Sequence, residues 1–433
     1  MTGNPIPLND FITLQRGHDL PHKNRVEGNV PVVASTGIAG YHNEAKAKAP
    51  GVILGRSGSI GGGQYITEDY WPLNTTLWVK DFKGHNERFI YYLLKSIDFS
   101  SFNVGSGVPT LNRNHLSSIL IDDKGRQFED KVAKILGDID DKIAVNIQIN
   151  QTLEQIAQAI FKSWFVDFDP VKAKIEALAA GGNADDAELA AMGVISAKTL
   201  DELNSLKASN PEQFNKLAQT ATLFPKDLDS ETGTPAGWNS GVIADIAKLN
   251  ANSWTKKNRP EQVHYVDLSN TKNGRIETVT TYGFDEAPSR ARRILNSGDT
   301  IIGTVRPGNR AFAFIGETEK PLTGSTGFAV LSPKEEFWTS FVYLATTNDD
   351  AIDEYARLAD GGAYPAIKPE VVADTPCVLP TKDIAQKFWR LTGAMLKKAH
   401  QARLENEELA KTRDTLLPKL LSGEINVTSE VVE

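Results

Sequence analysis

Two short loops combine arginine, glycine and small polar residues, a composition suited to binding an anion or the edge of a nucleobase. Gly55-Arg56-Ser57-Gly58-Ser59 is the first loop and Arg306-Pro307-Gly308-Asn309-Arg310 is the second. Each follows a short apolar run that is typical of a strand. Glycine lets backbone N–H groups approach a ligand closely, and arginine can pair bidentately with guanine or bind a phosphate oxygen. The two loops are therefore the first candidates for a recognition site.

Other polar, cationic and aromatic residues complete the set of candidate recognition residues. The candidates in the first half of the chain are Arg56, Ser57, Ser59, Thr75, Thr110 and Asn112. The candidates in the second half are Lys256, Lys257, Arg259, Arg292, Arg306, Asn309, Arg310 and Tyr364, and Arg290 and Arg293 add positive charge there. For any single residue, a solvated surface role is an equally good interpretation. Because an arginine-containing loop occurs in both halves, recognition is favoured for the loops.

The sequence offers little for catalysis or for a bound metal. It contains no Gly-Lys pair, which excludes a Walker-type phosphate loop, and the glycines of the first loop do not spell the dinucleotide-binding fingerprint. Asp169-Pro170 continues into Val171, which excludes the Asn/Asp-Pro-Pro-aromatic motif of amino-methyltransferases. His18 and His22 are four residues apart, but Pro21 disfavours the helix that would direct both at one metal ion. We therefore expect a non-catalytic chain without a metal site.

Composition and charge indicate a globular protein of the cytoplasm. The 433 residues are 40% hydrophobic and 24% charged, as in ordinary folded domains. No run approaches the ~18 apolar residues of a membrane helix, and a single cysteine, Cys377, fits a reducing compartment. The net charge of −8 argues mildly against gripping a polyanion by bulk electrostatics. Any contact with a polyanion should therefore be local.

The chain repeats itself once. Gly107-Val108-Pro109-Thr110-Leu111 matches Ala363-Tyr364-Pro365-Ala366-Ile367 at an offset of 256 residues. Further upstream, the run from Val52 to Gly58 is similar to the run from Ile301 to Gly308. Each copy is a region of short β-type runs rich in glycine and proline, followed by a segment with helical periodicity. The pattern predicts two related globular regions, each followed by a helix.

Each helical segment carries a seven-residue repeat. In the first, the repeat consists of Val132, Ile139, Asn146, Leu153 and Ile160, with Ile135, Ile149 and Ile156 as the second seam positions. In the second, the equivalent residues are Phe388, Met395, Ala402, Leu409 and Leu416. A helix of about 38 residues would be ~57 Å long, too long for burial in one small domain. We therefore expect the two helices to pair as a coiled coil, and the alternative is two independent amphipathic helices that pack on their own domains.

A compositionally different segment separates the two copies. Residues 166–235 contain 6 Lys and Arg against 12 Asp and Glu, which indicates an acidic connector with some helix. The connector opens with an aromatic cluster that includes Trp164, Phe165 and Phe168. Such a cluster needs an apolar surface to cover it, either by folding back onto its own chain or by docking a partner protein.

Several of these motifs resemble one known family. The closing run from Leu409 to Ile425, the run from Trp164 to Pro170, the pair Gly237-Trp238 and the stretch from Gly107 to Leu111 are similar to the specificity subunit of type I restriction-modification systems. The resemblance covers essentially the whole chain, and the repeated helices are its most specific part.

The resemblance implies a fold, a function and partners. The implied fold class is α/β (α+β), with two globular target-recognition domains separated by two long antiparallel coiled-coil helices in an internal pseudo-twofold repeat. Each domain would read one half of a split double-stranded DNA sequence through the candidate residues above. The implied partners are two methyltransferase subunits and restriction motor-nuclease subunits, and S-adenosylmethionine, ATP and Mg would bind to those partners rather than to this chain. Expected partner-binding residues are Trp164, Phe165, Phe168, Leu416 and Leu417.

The expected domain order follows from the repeat and the resemblance. The segments are target-recognition domain 1 at 1–121, spacer helix 1 at 122–165, the acidic connector at 166–235, target-recognition domain 2 at 236–380, spacer helix 2 at 381–425 and a C-terminal tail at 426–433. Two other functional classes remain open at this point. One is a coiled-coil adaptor without a role in DNA binding, and the other is a DNA-modifying enzyme with an unrecognised motif.

Overall fold

The computed structural model describes residues 4–103 and 107–427. Contacts divide the chain into two compact units, of which the first is Met1–Asn146 with Leu404–Glu433 and the second is Ile147–Arg403. Of the expected tail at 426–433, Asn426 and Val427 are described, and residues 428–433 lie outside the described residues. No helix within the described ranges has the length and apolar character needed to cross a membrane.

Over its described residues, 4–103 and 107–123, the globular part of the first unit has nine strands and two helices. Its strands are β1 (Asn4–Pro7), β2 (Thr13–Arg16), β3 (Val30–Ala34), β4 (Gly37–His42), β5 (Gly51–Gly55), β6 (Gly61–Ile66), β7 (Trp71–Pro72), β8 (Thr76–Asp81) and β9 (Leu120–Asp123). Its helices are α1 (Leu8–Phe11) and α2 (Glu87–Ser96), with 3-10 turns at His22–Asn24, Ser100–Phe102 and Arg113–Ser118. The long helix α3 (Arg126–Phe165) follows.

The strands of the first unit form two sheets and one isolated pair. One sheet has the order β2-β8-β5-β6 and is antiparallel, and the other has the order β4-β3-β7, in which β3 and β7 are parallel. Strands β1 and β9 pair antiparallel and close the globular part. The core includes Leu8, Ile90 and Tyr92, together with Val132 from α3 and Leu420 from the C-terminal segment. Helical residues therefore complete the core of this unit.

The second unit begins with helices and then repeats the strand-rich pattern. The helices of residues 166–235 are α4 (Asp169–Ala179), α5 (Ala184–Ser196), α6 (Leu200–Ser209) and α7 (Pro211–Thr222). Strands follow at β10 (Asn239–Val242), β11 (Ala247–Leu249), β12 (Gln262–Val266), β13 (Thr271–Lys272), β14 (Arg275–Ile276), β15 (Thr280–Gly283), β16 (Ala291–Leu295), β17 (Thr300–Gly303), β18 (Phe312–Phe314), β19 (Leu322–Ser325), β20 (Phe328–Pro333) and β21 (Pro376–Leu379). The remaining helices are α8 (Ile243–Ile246), α9 (Thr339–Thr347), α10 (Asp349–Leu358), α11 (Pro369–Ala373) and α12 (Lys382–Ser422), with 3-10 turns at Leu268–Asn270, Pro307–Asn309 and Glu336–Trp338.

The second unit repeats the topology of the first. Its sheets have the orders β11-β20-β17-β18 and β15-β12-β19-β16, in which β12 and β19 are parallel, and β10 pairs with β21 as β1 pairs with β9. Relative to the first unit, it adds the edge strand β16 and the hairpin β13–β14. The predicted duplication is therefore confirmed as a duplication of strand order, within the mixed α and β fold that the sequence indicated.

The four helices α4 to α7 have a small core of their own. Ala191, Met192, Leu203, Phe214 and Ala221 are buried against one another. Asn183 and Thr199 cap α5 and α6 in capping boxes, in which each side chain accepts from a backbone N–H that the first turn leaves unpaired. The acidic segment is thus folded as helices rather than as an extended linker.

The long helices present the predicted seven-residue stripe inward, but the second seam position differs from the prediction. Ile135, Ile149 and Ile156 are exposed, at 37%, 36% and 42%. The inward positions instead lie four residues after each stripe residue, as Leu136 and Ala157 show by being fully buried. A straight helix of 3.6 residues per turn brings positions three and four apart close to the same face, so the heptad alone does not choose between them.

Within the first unit, α3 and α12 run antiparallel. Arg413 donates to Asp140 at 2.7 Å, and Asn146 donates to Asn406 at 2.9 Å, so the residue number rises along one helix as it falls along the other. Asn146 is 3% exposed and also donates to Glu405 at 2.8 Å. The amide of Asn406 in turn donates to the Ile143 carbonyl at 3.4 Å. These bonds satisfy a polar group in an otherwise apolar seam, which fixes the register of the pair.

Replacement of Asn146 by alanine is expected to destabilise the first unit by about 1 to 3 kcal/mol, because the buried Asn146 loses its hydrogen bonds and half-buried Asn406 loses a partner. Urea unfolding followed by circular dichroism measures the change. Val145→Ala is the matched control, since Val145 is the preceding residue of the same helix and is 50% exposed. Equal unfolding midpoints for the two variants would show that the polar contacts contribute nothing to stability.

Candidate nucleic-acid interface

Backbone hydrogen bonds gather most first-half candidates into one place, which we call the first loop cluster (residues 56–59, 74–75 and 108–111). The N–H groups of Arg56 and Ser57 both donate to the Thr75 carbonyl, at 2.8 and 3.1 Å. The Gly58 N–H donates to the Pro109 carbonyl at 3.0 Å, and the Leu111 N–H donates to the Arg56 carbonyl at 2.8 Å. Three segments that are distant in the sequence are therefore joined at the end of β5.

The side chains of the first loop cluster are partly committed to the chain itself. Arg56 is half-buried, and its Nη1 donates to the Asn74 carbonyl at 3.4 Å. The Thr75 hydroxyl accepts from the Ser35 N–H at 3.4 Å, which brings the β3–β4 hairpin tip to the cluster. Thr110 donates to the Val108 carbonyl at 3.1 Å, and Ser59 is exposed. Sequence reasoning missed the hairpin tip, because only the sheet pairing places it here.

Asn112 lies just beyond the first loop cluster and has a local structural role. Its side-chain oxygen accepts from the Asn114 N–H at 3.0 Å and caps the 3-10 turn Arg113–Ser118. The side-chain oxygen of Asn112 is therefore already used within the chain.

Two glycines of the first loop are required by the local structure, one because another backbone segment lies close to it and one because of its backbone conformation. A Cβ on Gly55 would lie 2.0 Å from the Ser59 carbonyl oxygen, so no side chain fits there. Gly58 has φ +85, in the left-handed region that favours glycine, and open space beside it. The loop therefore needs glycine to fold, independently of any ligand.

The second unit builds the same framework, which we call the second loop cluster (residues 304–306, 327 and 363–367). Three backbone N–H groups donate to backbone carbonyls: Thr304 to Gly327 at 2.8 Å, Arg306 to Pro365 at 2.7 Å and Ile367 to Thr304 at 2.9 Å. These three bonds correspond to those of Arg56, Gly58 and Leu111. Arg306 is thus the counterpart of Gly58. The sequence pattern suggested that the arginines of the two loops are equivalent, but they occupy different positions in the shared framework.

Arg306 is held at the surface by its neighbours. Its backbone is left-handed, with φ 49 and ψ 62, and its Nη2 donates to the Ala363 carbonyl at 2.6 Å. The guanidinium carbon lies 4.5 Å from the ring centroid of Tyr364, which is 71% exposed. This arrangement is a cation–π contact on an exposed aromatic ring.

Arg310 and Asn309 lie beside the second loop cluster with different surroundings. Arg310 donates from Nε to Asn273 Oδ1 at 3.0 Å and forms an ion pair with Asp349 at 2.7 Å. Asn309 is exposed in the 3-10 turn. Arg310 is therefore neutralised by its own chain, and Asn273 belongs to a hairpin whose Asn273-Gly274 turn is a strong hairpin signal in the sequence.

The remaining cationic candidates form a separate group on β16 and the segment before β12. Trp254 N–H donates to the Arg292 carbonyl at 2.8 Å, which joins the two segments. Arg259 pairs with Asp285 at 2.8 Å, Arg292 lies over Phe284 at 5.0 Å, and Lys256 and Lys257 are exposed. Among the described residues, the ion pair of Arg259 and the ring contact of Arg292 are with the segment between β15 and β16 rather than with the second loop cluster.

Arg290 and Arg293 flank that group. The Arg290 carbonyl accepts from the Thr326 N–H at 2.8 Å, next to Gly327 of the second loop cluster, and Arg290 is exposed. Arg293 is half-buried, and burial lowers the pKa of its guanidinium. Arg290 is therefore a cationic residue near the second loop cluster. The sequence showed only that it adds positive charge to the second half of the chain, not that it lies at this place.

The expected partner-binding side chains are covered by the chain itself. Trp164 and Phe165 are 2% and 3% exposed, and they pack in the core of the second unit with the Phe388 ring 5.8 and 4.9 Å away. Phe168 is half-buried against Trp238. Leu417 is buried and Leu416 is partly buried in the core of the first unit. The rings of Trp164 and Phe165 are therefore folded back onto their own chain, whereas Phe168 keeps part of its surface exposed.

One group of possible metal ligands occurs among the described residues. Ligand atoms of His85, Asp123 and Glu129 lie within 4.8 Å of one another. Both oxygens of Glu129 are already used, by His85 Nδ1 at 2.7 Å and by the Asn86 N–H at 2.9 Å. The group therefore has a structural role in joining the start of α2 to α3.

Comparison with known proteins connects this architecture to one family. The type I restriction modification DNA specificity domain matches residues 4–155. The chain is 31% identical over 331 residues to the specificity subunit of the type I restriction enzyme HindI from Haemophilus influenzae, covering 73% of this chain and 71% of that protein. It is 23% identical over 360 residues to the MjaIX specificity subunit from Methanocaldococcus jannaschii, covering 79% and 70%.

A solved structure shares the fold. The S subunit of a type I restriction-modification system from M. genitalium aligns with a TM-score of 0.54 at 15% identity and covers 97% of this chain and 99% of that chain. The fold of this chain is therefore shared with a protein of very different sequence. The 31% identity to the Haemophilus protein over most of both sequences shows that the chain belongs to the specificity subunits of type I restriction enzymes.

Proposed function

We propose that this chain reads a two-part DNA sequence, one part with each unit, through the first and second loop clusters. The observation that carries the proposal is the repetition of the same three backbone hydrogen bonds in both clusters. Each set joins three distant segments and leaves small polar or cationic side chains at the surface. Membership of a family of DNA specificity subunits assigns the chain to recognition rather than to catalysis.

The charge distribution supports a need for partner subunits. The chain carries a net charge of −8, which argues against neutralising many phosphates by its overall charge. In our proposal, two methyltransferase subunits and the restriction subunits enclose the DNA, and they carry the S-adenosylmethionine, ATP and Mg chemistry. The duplicated topology would present equivalent surfaces to two copies of one methyltransferase subunit.

The proposal is tested by footprinting the complex of the full chain with its methyltransferase subunits on DNA that contains the methylated sequence. Substitution of single base pairs is expected to weaken this protection at two half-sites and to leave it unchanged in the spacer between them, because contacts to the DNA backbone protect without reading sequence. A single uninterrupted run of sensitive base pairs would contradict reading by two separate units. An absence of protection would favour an adaptor role, and methyl transfer by the chain without partner subunits would favour a DNA-modifying enzyme.

A further inference from the structure

We infer that Tyr364 is a positioning residue that holds the Arg306 guanidinium for contact with a guanine in the half-site read by the second unit. This inference rests on the proposed function and gives the second loop cluster a specific chemistry. It also predicts that the first loop cluster does not use this contact.

The guanidinium of Arg306 retains donors and a positive charge for a ligand. Arginine has five N–H donors, and one nitrogen of Arg306 donates to the Ala363 carbonyl at 2.6 Å. The ion pairs of the described residues include Arg310 with Asp349 and Arg259 with Asp285, but none with Arg306. Its charge therefore remains available at an exposed position, while the hydrogen bond to Ala363 and the Tyr364 ring, 4.5 Å from the guanidinium carbon, hold the group in place.

The backbone of Arg306 adopts an unfavourable conformation. At φ 49 it occupies the left-handed region, which disfavours residues with a Cβ. The counterpart in the first unit is Gly58, with φ +85, which adopts this region freely. An arginine at this place is strained relative to glycine, and strained residues concentrate at functional sites. The strained backbone directs the side chain toward Tyr364 and Ala363.

Guanine in the major groove is the ligand that suits a guanidinium held in this way. A guanidinium of fixed plane matches the O6 and N7 acceptors of guanine in the major groove, which form the commonest specific arginine contact in DNA recognition. A flexible arginine would serve equally well for a phosphate, but it would not need an aromatic support or a strained backbone. The fixed plane is therefore the feature that favours a base over a phosphate.

The two units differ at the positions of Arg306 and Tyr364. Pro109 and Pro365 accept equivalent hydrogen bonds, so Val108 is the counterpart of Tyr364. Val108 is 58% exposed and has no polar group. Gly58 and Val108 thus stand where the second unit has Arg306 and Tyr364. The two half-sites are accordingly read with different chemistry from this position.

The test uses the full chain assembled with its methyltransferase subunits and a set of DNA duplexes with single substitutions in each half-site. Arg306→Ala is expected to reduce discrimination at one G·C pair of one half-site by about 5- to 150-fold. Tyr364→Ala is expected to reduce discrimination at the same pair by about two- to fivefold, the range for an exposed cation–π contact. Tyr364→Phe keeps the ring and is expected to retain the wild-type preference. The other half-site is the internal control, and thermal unfolding checks that each variant is folded.

The outcomes separate the inference from the proposed function. If Arg306→Ala weakens binding equally for all sequences and lowers the salt dependence by about one counterion, Arg306 contacts a phosphate and the inference is wrong. If Arg306→Ala relaxes one G·C pair but Tyr364→Ala does not, the positioning role is wrong and the base contact stands. If folded variants at Arg306, Tyr364 and Arg56 leave both half-sites unchanged, recognition by the loop clusters, and with it the proposed function, is contradicted.

Discussion

Replacement of residues 1–123 by the equivalent region of another specificity subunit is expected to change one half of the methylated DNA sequence and to leave the other half unchanged. The physical reason is that the first loop cluster is built entirely from segments of this region. Strands β1 and β9 pair with each other, so a junction after Asp123 keeps both strands from one donor. Sequencing the methylated positions in cells that carry the chimaera and the partner subunits measures the result.

The chimaera must also retain the contacts that its globular part makes with the helices. Val132, Leu136, Leu417 and Leu420 complete the core of the first unit, so the donor should carry similar residues where it meets them. Replacement of residues 239–379 is the matched control and should change the other half only. If either chimaera altered both halves together, reading by two separate units would be disproved.

Replacement of Phe388 by alanine is expected to lower the stability of the second unit by about 3–5 kcal/mol, which is the usual cost of removing a buried aromatic side chain. Phe388 is 0% exposed. Its ring lies 4.9 Å from Phe165, 5.8 Å from Trp164 and 6.1 Å from Phe161. Alanine would leave a cavity among three rings that cannot close without moving α3 or α12.

The single cysteine provides a specific measurement for this variant. Cys377 lies in β21 of the second unit, and burial raises the pKa of its thiol to about 12. In the folded protein at pH 8 the thiolate is therefore scarce, whereas an unfolded thiol has a pKa of ~8.5 and reacts readily. Pulse alkylation in increasing urea reports the opening of this unit alone. With an m value of ~1–3 kcal/mol/M, the midpoint for Phe388→Ala should fall by more than about 1 M.

Leu391→Ala is the control for Phe388→Ala, because Leu391 lies three residues further along the same helix and is 39% exposed. A substitution at an exposed site usually changes stability by less than ~0.5 kcal/mol. A shift in the alkylation midpoint of Leu391→Ala as large as that of Phe388→Ala would mean that the aromatic core does not hold the second unit together.

The helices and the duplication could be predicted from the sequence because both are repetitive signals. Five residues at seven-residue spacing in each copy are sufficient to indicate a long helix with one apolar stripe. The sequence could not show which residues fill the second position of the seam between the helices. Ile135, Ile149 and Ile156 are apolar but exposed, because the orientation of the partner helix decides whether the position three or four residues along is covered.

The candidate residues illustrate a different limit. Arg56 and Thr75 could be proposed from loop composition, and the structure brings them together. The commitment of Arg310 to Asn273 and Asp349 could not be read from the sequence, because those partners lie 37 and 39 positions away along the chain. The burial of Trp164 and Phe165 likewise depends on rings from α12 and α9 that only folding brings near.

The sequence by itself determined that the chain has a duplicated plan, two long helices with an apolar stripe, glycine-rich loops after short strands and no recognisable catalytic motif. These features are local or periodic, and local conformational preference and spacing are written directly in the order of residues. Only the tertiary structure decided that Arg306 replaces Gly58 in the duplicated framework, which cations are neutralised and which apolar side chains are covered. Those outcomes depend on hydrogen bonds and packing between segments far apart in the chain, where no local rule assigns a partner.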